Sequence, residues 1–149
     1  GLLVEIGKLK QYETFVPSQD KNKRFLGKTL GEISTQTDFF QFGYDHIIRK
    51  AKTIDVCWFN VRKMPSVLFE VEHSTDIQNS LLKFVELQDF NANFFIVADK
   101  VRKEEYIKKS SHHAFEPIKR RVQYLDYDKL SKWHAKTFEI ASVENNLTY

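Results

Sequence analysis

Apolar residues recur at helical spacing at Leu2, Leu3, Ile6 and Leu9, which predicts an opening helix over residues 2–11. Tyr12 to Val16 then reads as a strand that stops at Pro17. Residues 18–41 are polar, include Gly27 and Gly31, and predict an irregular excursion with only short structure. Phe42 to Lys52 reads as a helix leading into two apolar runs, Ile54–Phe59 and Val67–His73, separated by a short turn. Thr75-Asp76-Ile77-Gln78 matches a capping box with Thr75 as N-cap, and Ile77, Leu81, Phe84, Val85 and Gln88 form one face of the helix after it. Asn93–Ala98 is a buried strand, Val101–Ser111 a charged helix, Val122–Leu125 a strand and Tyr127–Trp133 helical; residues 141–149 look frayed. With no internal repeat, this order predicts one α/β domain over residues 1–149, built on a central mixed β-sheet flanked by helices.

The two central runs should pair as a β-hairpin. A register symmetric about Arg62-Lys63 sets Val56 opposite Phe69, Cys57 opposite Leu68 and Trp58 opposite Val67. The same register sets Asp55 opposite Glu70 and diagonal to Glu72. Side chains alternate faces along a strand, so Glu70 and Glu72 point the same way, on the side of Leu68, Cys57 and Phe59. The other side carries Ile54, Val56, Trp58, Val67, Phe69 and Val71, so both faces of the hairpin are predicted to be covered. Two like charges about 4 Å apart cost roughly 4 kcal/mol at an effective dielectric near 20. Three carboxylates at the end of an apolar face therefore call for a cation, a shifted pKa or an open edge. The competing interpretation is a pair of glutamates on the wet face of an amphipathic strand; their apolar neighbours argue against it.

Apolar content of 42%, with 13 Phe, supports a globular fold over disorder. No run is long enough for a membrane span and no signal-peptide pattern is present. The single cysteine, Cys57, excludes an internal disulfide and a multi-cysteine zinc site and fits a reducing, cytoplasmic compartment. Net charge is only +3, so the placement of charge says more than its total. Arg49 and Lys50 precede Asp55, and Arg62 and Lys63 occupy the hairpin turn. Lys83 lies opposite the apolar stripe of its helix, where it would meet a DNA phosphate or solvent; it is a poor substitute for a catalytic lysine. No Gly-x-Ser-x-Gly elbow or Gly-rich phosphate loop is present.

An αβββαβ order with Asp55 on the second strand and Glu70-Val71-Glu72 on the third resembles the PD-(D/E)XK nuclease superfamily over roughly residues 2–98. Asp55 matches the first acid of its signature and Glu70 the second. Glu72 stands where most members carry lysine, as in some type II restriction endonucleases. The resemblance implies a restriction-endonuclease-like fold and a Mg²⁺-dependent DNA endonuclease, or the catalytic domain of one, in restriction or phage defence. Asp55, Glu70 and the Val71 carbonyl would hold the metal, Glu72 would act as base or second-metal ligand, and Glu5, on the first helix, would hold a metal-bound water. DNA is the implied partner, with a homodimer or larger restriction assembly as the implied form. The runner-up is a nuclease-like module that binds nucleic acid without cutting. His73 is expected to be a satisfied, partly buried side chain, and His46, His112, His113 and His134 are assigned no role. Gln78 stands near the site or merely caps its helix.

Overall fold

The structure, a computed structural model, describes residues 1–40 and 43–147. Helix α1 (Leu2–Leu9) leads into strand β1 (Glu13–Phe15), and a polar excursion follows, containing the two-residue strands β2 (Arg24–Phe25) and β3 (Lys28–Thr29) and one helical turn, α2 (Leu30–Ile33). Helix α3 (Asp45–Ala51) precedes the hairpin of β4 (Val56–Phe59) and β5 (Pro65–Glu72). Helix α4 (Ile77–Glu86), β6 (Asn93–Ala98), α5 (Lys103–Ser110), β7 (Val122–Asp126) and α6 (Tyr127–Leu147) complete the chain.

One sheet runs β1-β4-β5-β6-β7. Its first half is antiparallel, because a short turn joins β4 to β5; its second half is parallel, because α4 and then α5 carry the chain back across a face. The α/β fold with a mixed sheet between helices is thus the one expected. The hairpin register is also the expected one, Val56 with Phe69, Cys57 with Leu68 and Trp58 with Val67. It slips after Trp58, where Phe59 pairs with Pro65. Asn60 holds the turn, its Oδ1 accepting from the N–H groups of Arg62 at 2.9 Å and Met64 at 3.2 Å.

Both faces of the sheet are buried. On one, Cys57, Phe59, Leu68, Phe94 and Ile96 pack under Leu81 and Phe84 of α4 and Ile48 of α3. On the other, Val56, Trp58, Val67, Phe69 and Val97 meet Leu3, Val4 and Ile6 of α1 and Leu130 of α6. Alternation therefore sorts the strand residues as predicted, with one exception. Ile54 precedes the strand proper and packs on the α4 side, not with Val56.

Other boundaries differ from the sequence reading. The capping box is absent: Asp76, not Thr75, is the N-cap of α4, and its carboxylate accepts from the Gln78 N–H at 2.9 Å. Asp competes well for this position and brings a negative charge to the helix N-terminus. Gln88 lies exposed beyond the end of that helix. Helix α3 begins at Asp45; Phe42 lies outside the described residues. Helix α6 runs on through residues 134–147, where fraying was expected for 141–149, of which 148 and 149 lie outside the described residues. Its first half is anchored by Leu130 and Trp133, and helix-forming Ala and Glu residues carry it on.

The contact between α1 and the sheet is close. The indole N–H of Trp58 donates to the Leu3 carbonyl at 3.1 Å, and a Cβ on Gly7 would lie 2.6 Å from both Trp58 Nε1 and Thr14 Cγ2. Gly7→Ala should therefore lower unfolding stability by about 1–3 kcal/mol in urea denaturation, despite the higher helix propensity of alanine. An unchanged or raised midpoint would show that α1 can move away from the sheet at no cost.

Candidate active site

Asp55 stands immediately before β4, where the helix-to-strand connection turns into the sheet. Its Oδ2 accepts from the Val71 N–H at 2.7 Å, and its own N–H donates to Glu70 Oε1 at 3.2 Å. These two bonds continue the β4–β5 ladder through side chains, so the opposition of Asp55 and Glu70 is realised. Glu70 and Glu72 project from the same face of β5 and are nearly inaccessible, 2% and 5% exposed. Helix α4 covers them. Its Ser80 hydroxyl contacts Glu70 Oε2 at 2.9 Å and also Glu72 Oε1. Lys83, one turn further, donates to Glu70 Oε2 at 2.8 Å and to the Thr53 carbonyl at 3.2 Å.

The electrostatics follow from that geometry. Burial pushes the Glu70 carboxyl up to about 7, the Asp55 charge adds to the rise, and Lys83 and Ser80 oppose it. Asp55 is also raised, chiefly by burial, with the Val71 N–H and Lys83 opposing the shift and the charges of Asp20 and Glu72 adding to it. A serine hydroxyl carries one proton and can donate to one carboxylate at a time. Glu72 Oε2 is buried and has no hydrogen-bond partner. A carboxylate oxygen in that state is costly unless something binds it.

Lys83 is the main correction to the sequence reading. It was expected to face solvent or a DNA phosphate, yet its ammonium ion-pairs with the most buried acid of the cluster. The helical stripe predicts the position of its Cβ but not the reach of a four-carbon stem, which can lay its charged end over a neighbouring strand. Ser80 was not anticipated either. Its only sequence signal is a three-residue spacing from Lys83, which sets both on one side of α4.

The remaining expected residues are more dispersed. Glu5 is not brought to the carboxylates; it lies with α1 on the opposite side of the sheet, where its Oε2 is 2.9 Å from His134 Nε2 of α6. Arg62 and Lys63 occupy the turn at the far end of the hairpin. The five steps from Pro65 to Glu70 span about 17 Å of extended strand, so the two basic residues do not flank the acids. Arg62 instead lines a separate cleft of about 440 Å³ with Asn60, Met64, Asp89 and Phe90, and the Lys63 ammonium sits over the Phe40 ring. Arg49 is exposed on α3, and Lys50 is paired with Glu86 at 3.0 Å. His73 is exposed, not partly buried, and its Nδ1 lies 2.8 Å from the Tyr127 hydroxyl. Val71 reaches Asp55 through its N–H. From the far side, Arg102 donates to the carbonyls of Glu72 and Thr75, at 3.2 and 2.7 Å, and grips the loop that follows the acids.

Among the described residues, no three His, Cys, Asp or Glu side chains converge as a ready-made metal cage. The donor set at the cluster is nonetheless all oxygen, with one buried oxygen unclaimed. Mg²⁺ takes such donors and commonly uses only one or two carboxylates beside its waters. Among the described residues, no helix is long and apolar enough to cross a membrane.

Comparison with known proteins adds a family. Residues 1–147 match the type II restriction enzyme NmeDI C-terminal domain. The chain is similar, at 22% identity over 143 residues, to the type II restriction enzyme NmeDI of Neisseria meningitidis serogroup C; the alignment covers 89% of this chain and 40% of that protein. The chain thus spans well under half the length of this curated relative. No solved structure matches.

The raised Glu70 carboxyl has a measurable consequence. Between the ordinary glutamate value of 4.5 and about 7, the folded protein keeps a proton that the unfolded chain has released. Stability should therefore fall as pH rises through that window and level off above it, by on the order of 3 kcal/mol. Urea denaturation at pH 5 and pH 8 measures this. Glu70→Gln should remove most of the difference, and a variant that retained all of it would assign the proton elsewhere.

Proposed function

This chain belongs to the type II restriction enzyme NmeDI C-terminal domain family, and from that premise we propose that it is a metal-dependent DNA endonuclease domain of the PD-(D/E)XK kind, acting in restriction or phage defence. The observation that carries this reading is a chain of buried acids, Asp55 bonded to Glu70 through its N–H and Glu70 linked to Glu72 through the Ser80 hydroxyl, with the Lys83 ammonium on Glu70. A purely structural set of acids would be expected to face water, or to have every buried oxygen satisfied.

On this reading Asp55 and Glu70 hold a divalent ion, with Mg²⁺ the natural choice for a hard, oxygen-only donor set. When bound, the ion supplies Lewis-acid polarisation of the scissile phosphate and lowers the pKa of water. On this reading Glu72 would take the proton of the attacking water on its unclaimed oxygen. Lys83 contributes the positive charge that the strand motif lacks at Glu72, and shifts between Glu70 and a phosphate oxygen as charge develops there. Ser80 keeps the two glutamates at a fixed separation. Glu5 has no part in this scheme, being held by His134. Residues 1–149 act as one nuclease-like domain, cytoplasmic with its DNA, and two copies cutting together would sever both strands.

A second reading, a DNA-binding module that does not cut, draws support from the same ion pair. Lys83 and Ser80 already engage Glu70 Oε2, which leaves fewer lone pairs for a metal. The two readings separate cleanly by experiment. On the endonuclease reading, Mg²⁺ or Mn²⁺ at 100 times its dissociation constant stabilises the fold by about 2.7 kcal/mol, and plasmid DNA is cleaved. Asp55→Asn and Glu70→Gln then lose about 10³-fold in cleavage rate, and Lys83→Met about 10²-fold. DNA binding without metal-linked stabilisation or cleavage would favour the non-cutting module.

A further inference from the structure

The polar excursion between β1 and α3 holds a small projecting hairpin. Strands β2 and β3 pair Arg24 with Thr29 and Phe25 with Lys28, leaving a two-residue loop of Leu26 and Gly27. Both loop residues have positive φ, 47° and 83°. Positive φ at both central positions is the type I′ pattern, which favours Asn-Gly and suits a branched apolar side chain poorly. Leu26 is nevertheless there, and 79% exposed. The two other non-glycine residues with positive φ among those described have local reasons. Gln11 terminates α1, where the Tyr12 N–H returns to the Gly7 carbonyl at 2.9 Å, and Lys63 lies in the turn held by Asn60. At the tip the Arg24 guanidinium donates to the Gly27 carbonyl at 3.5 Å, which closes the loop but gives no reason for leucine in it.

The hairpin is basic and follows β1 at the end of the sheet that carries Asp55, with Phe25 packed on the α1 side. Lys23, Arg24 and Lys28 are exposed around the loop. The nearby acids are Asp20, which pairs with Lys23 at 2.6 Å, and Glu32, which is bonded to Thr29. Phe15 of β1 stands opposite Cys57 of β4, so the chain leaves the sheet beside the start of β4, two residues from Asp55.

We propose that the β2–β3 hairpin is a DNA-contacting finger at the Asp55 end of the sheet, with Lys23, Arg24 and Lys28 on the phosphate backbone and Leu26 pressed against the sugar and base edges of a groove. The chemistry matches both faces of a duplex. Ammonium and guanidinium groups neutralise phosphates and release counterions, and an apolar wedge at a loop tip gains surface only against bases or sugars. A leucine in a backbone conformation that disfavours it is the kind of local conflict that persists where a contact outside the fold requires it. The finger rests on the endonuclease reading for its substrate but not for its test, which needs no cleavage.

The test is binding of a short fluorescein-labelled DNA duplex to the whole chain in EDTA, followed by anisotropy across roughly 50–200 mM salt. Lys23→Ala/Arg24→Ala/Lys28→Ala should weaken binding by about 10–100-fold and flatten the log–log salt slope by two to three. Leu26→Asn should leave that slope unchanged and weaken binding by about 5–10-fold. It should also raise the melting temperature by roughly 2–4 °C, because Asn accepts positive φ. Lys119→Ala/Arg120→Ala, on the loop before β7, serves as the basic control. Wild-type binding that the triple variant leaves untouched overturns the finger alone. Absence of duplex binding by the wild type overturns the finger and the DNA-directed function together. A more stable Leu26→Asn that binds as well as wild type removes leucine from the contact.

Discussion

Two neighbouring glutamates are buried on one face of β5, and the rest of the site is arranged around that constraint. Charged side by side in a medium of low polarity they would repel by several kcal/mol. The protein answers with a lysine from the covering helix, a serine hydroxyl shared between the pair, and a carboxyl raised to about 7. The first two come from α4, and the third reflects burial and the Asp55 charge, which they oppose. That helix must therefore lie across β5 with its Ser80–Lys83 side down, which also presses Ile77, Leu81 and Phe84 into the core. Packing of the apolar stripe and neutralisation of the acids select the same rotation of one helix.

Sheet topology places this constraint where it is useful. Strand β5 is antiparallel to β4 and parallel to β6, so its C-terminal end is where the chain must leave the hairpin and start a crossover. Ligand sites gather at such ends because helix starts and loops meet there. The loop after Glu72 is correspondingly well tied. Arg102 holds the carbonyls of Glu72 and Thr75, Glu105 braces Arg102, and Lys109 bridges Glu105 and the N-cap carboxylate of Asp76. These groups are partly exposed, and each pair alone contributes little. Together they join α5 to the start of α4 and limit how far Ser80 and Lys83 can drift from the acids.

What could be read from the sequence divides along physical lines. Strand alternation is strict, so the hairpin register, the two buried faces and the opposition of Asp55 and Glu70 were legible from Ile54–Phe59 and Val67–Glu72 alone. Strand β6 was legible because Phe94–Val97 has no polar interruption. The cap of α4 was not, since Thr75 and Asp76 are both good cappers and tertiary bonds from Lys109 and Arg102 favour the second. Glu5 could not be placed because its partner, His134, lies 129 residues away on a helix whose length was underestimated. The basic turn at Arg62-Lys63 seemed close to Asp55 in sequence but stands at the opposite end of an extended hairpin. Separation along a strand is real distance.

Lys83 shows why a linear motif is a weak guide to a cationic group. Chemistry at a phosphate depends on where the ammonium nitrogen sits, not on which backbone atom bears it. From position 72, a lysine would project from the face of β5 that carries Glu70. From position 83, it reaches the same carboxylate from above, at 2.8 Å, and leaves the strand position free for an acid. On the endonuclease reading, the exchange has a consequence that a strand lysine lacks. The cation now rides on α4, so whatever displaces α4 relative to β5 changes the charge on Glu70 and the position of Lys83 together. The clamp from Arg102 and Lys109 onto the start of that helix then does more than close a loop: it ties down the helix that carries both Ser80 and Lys83.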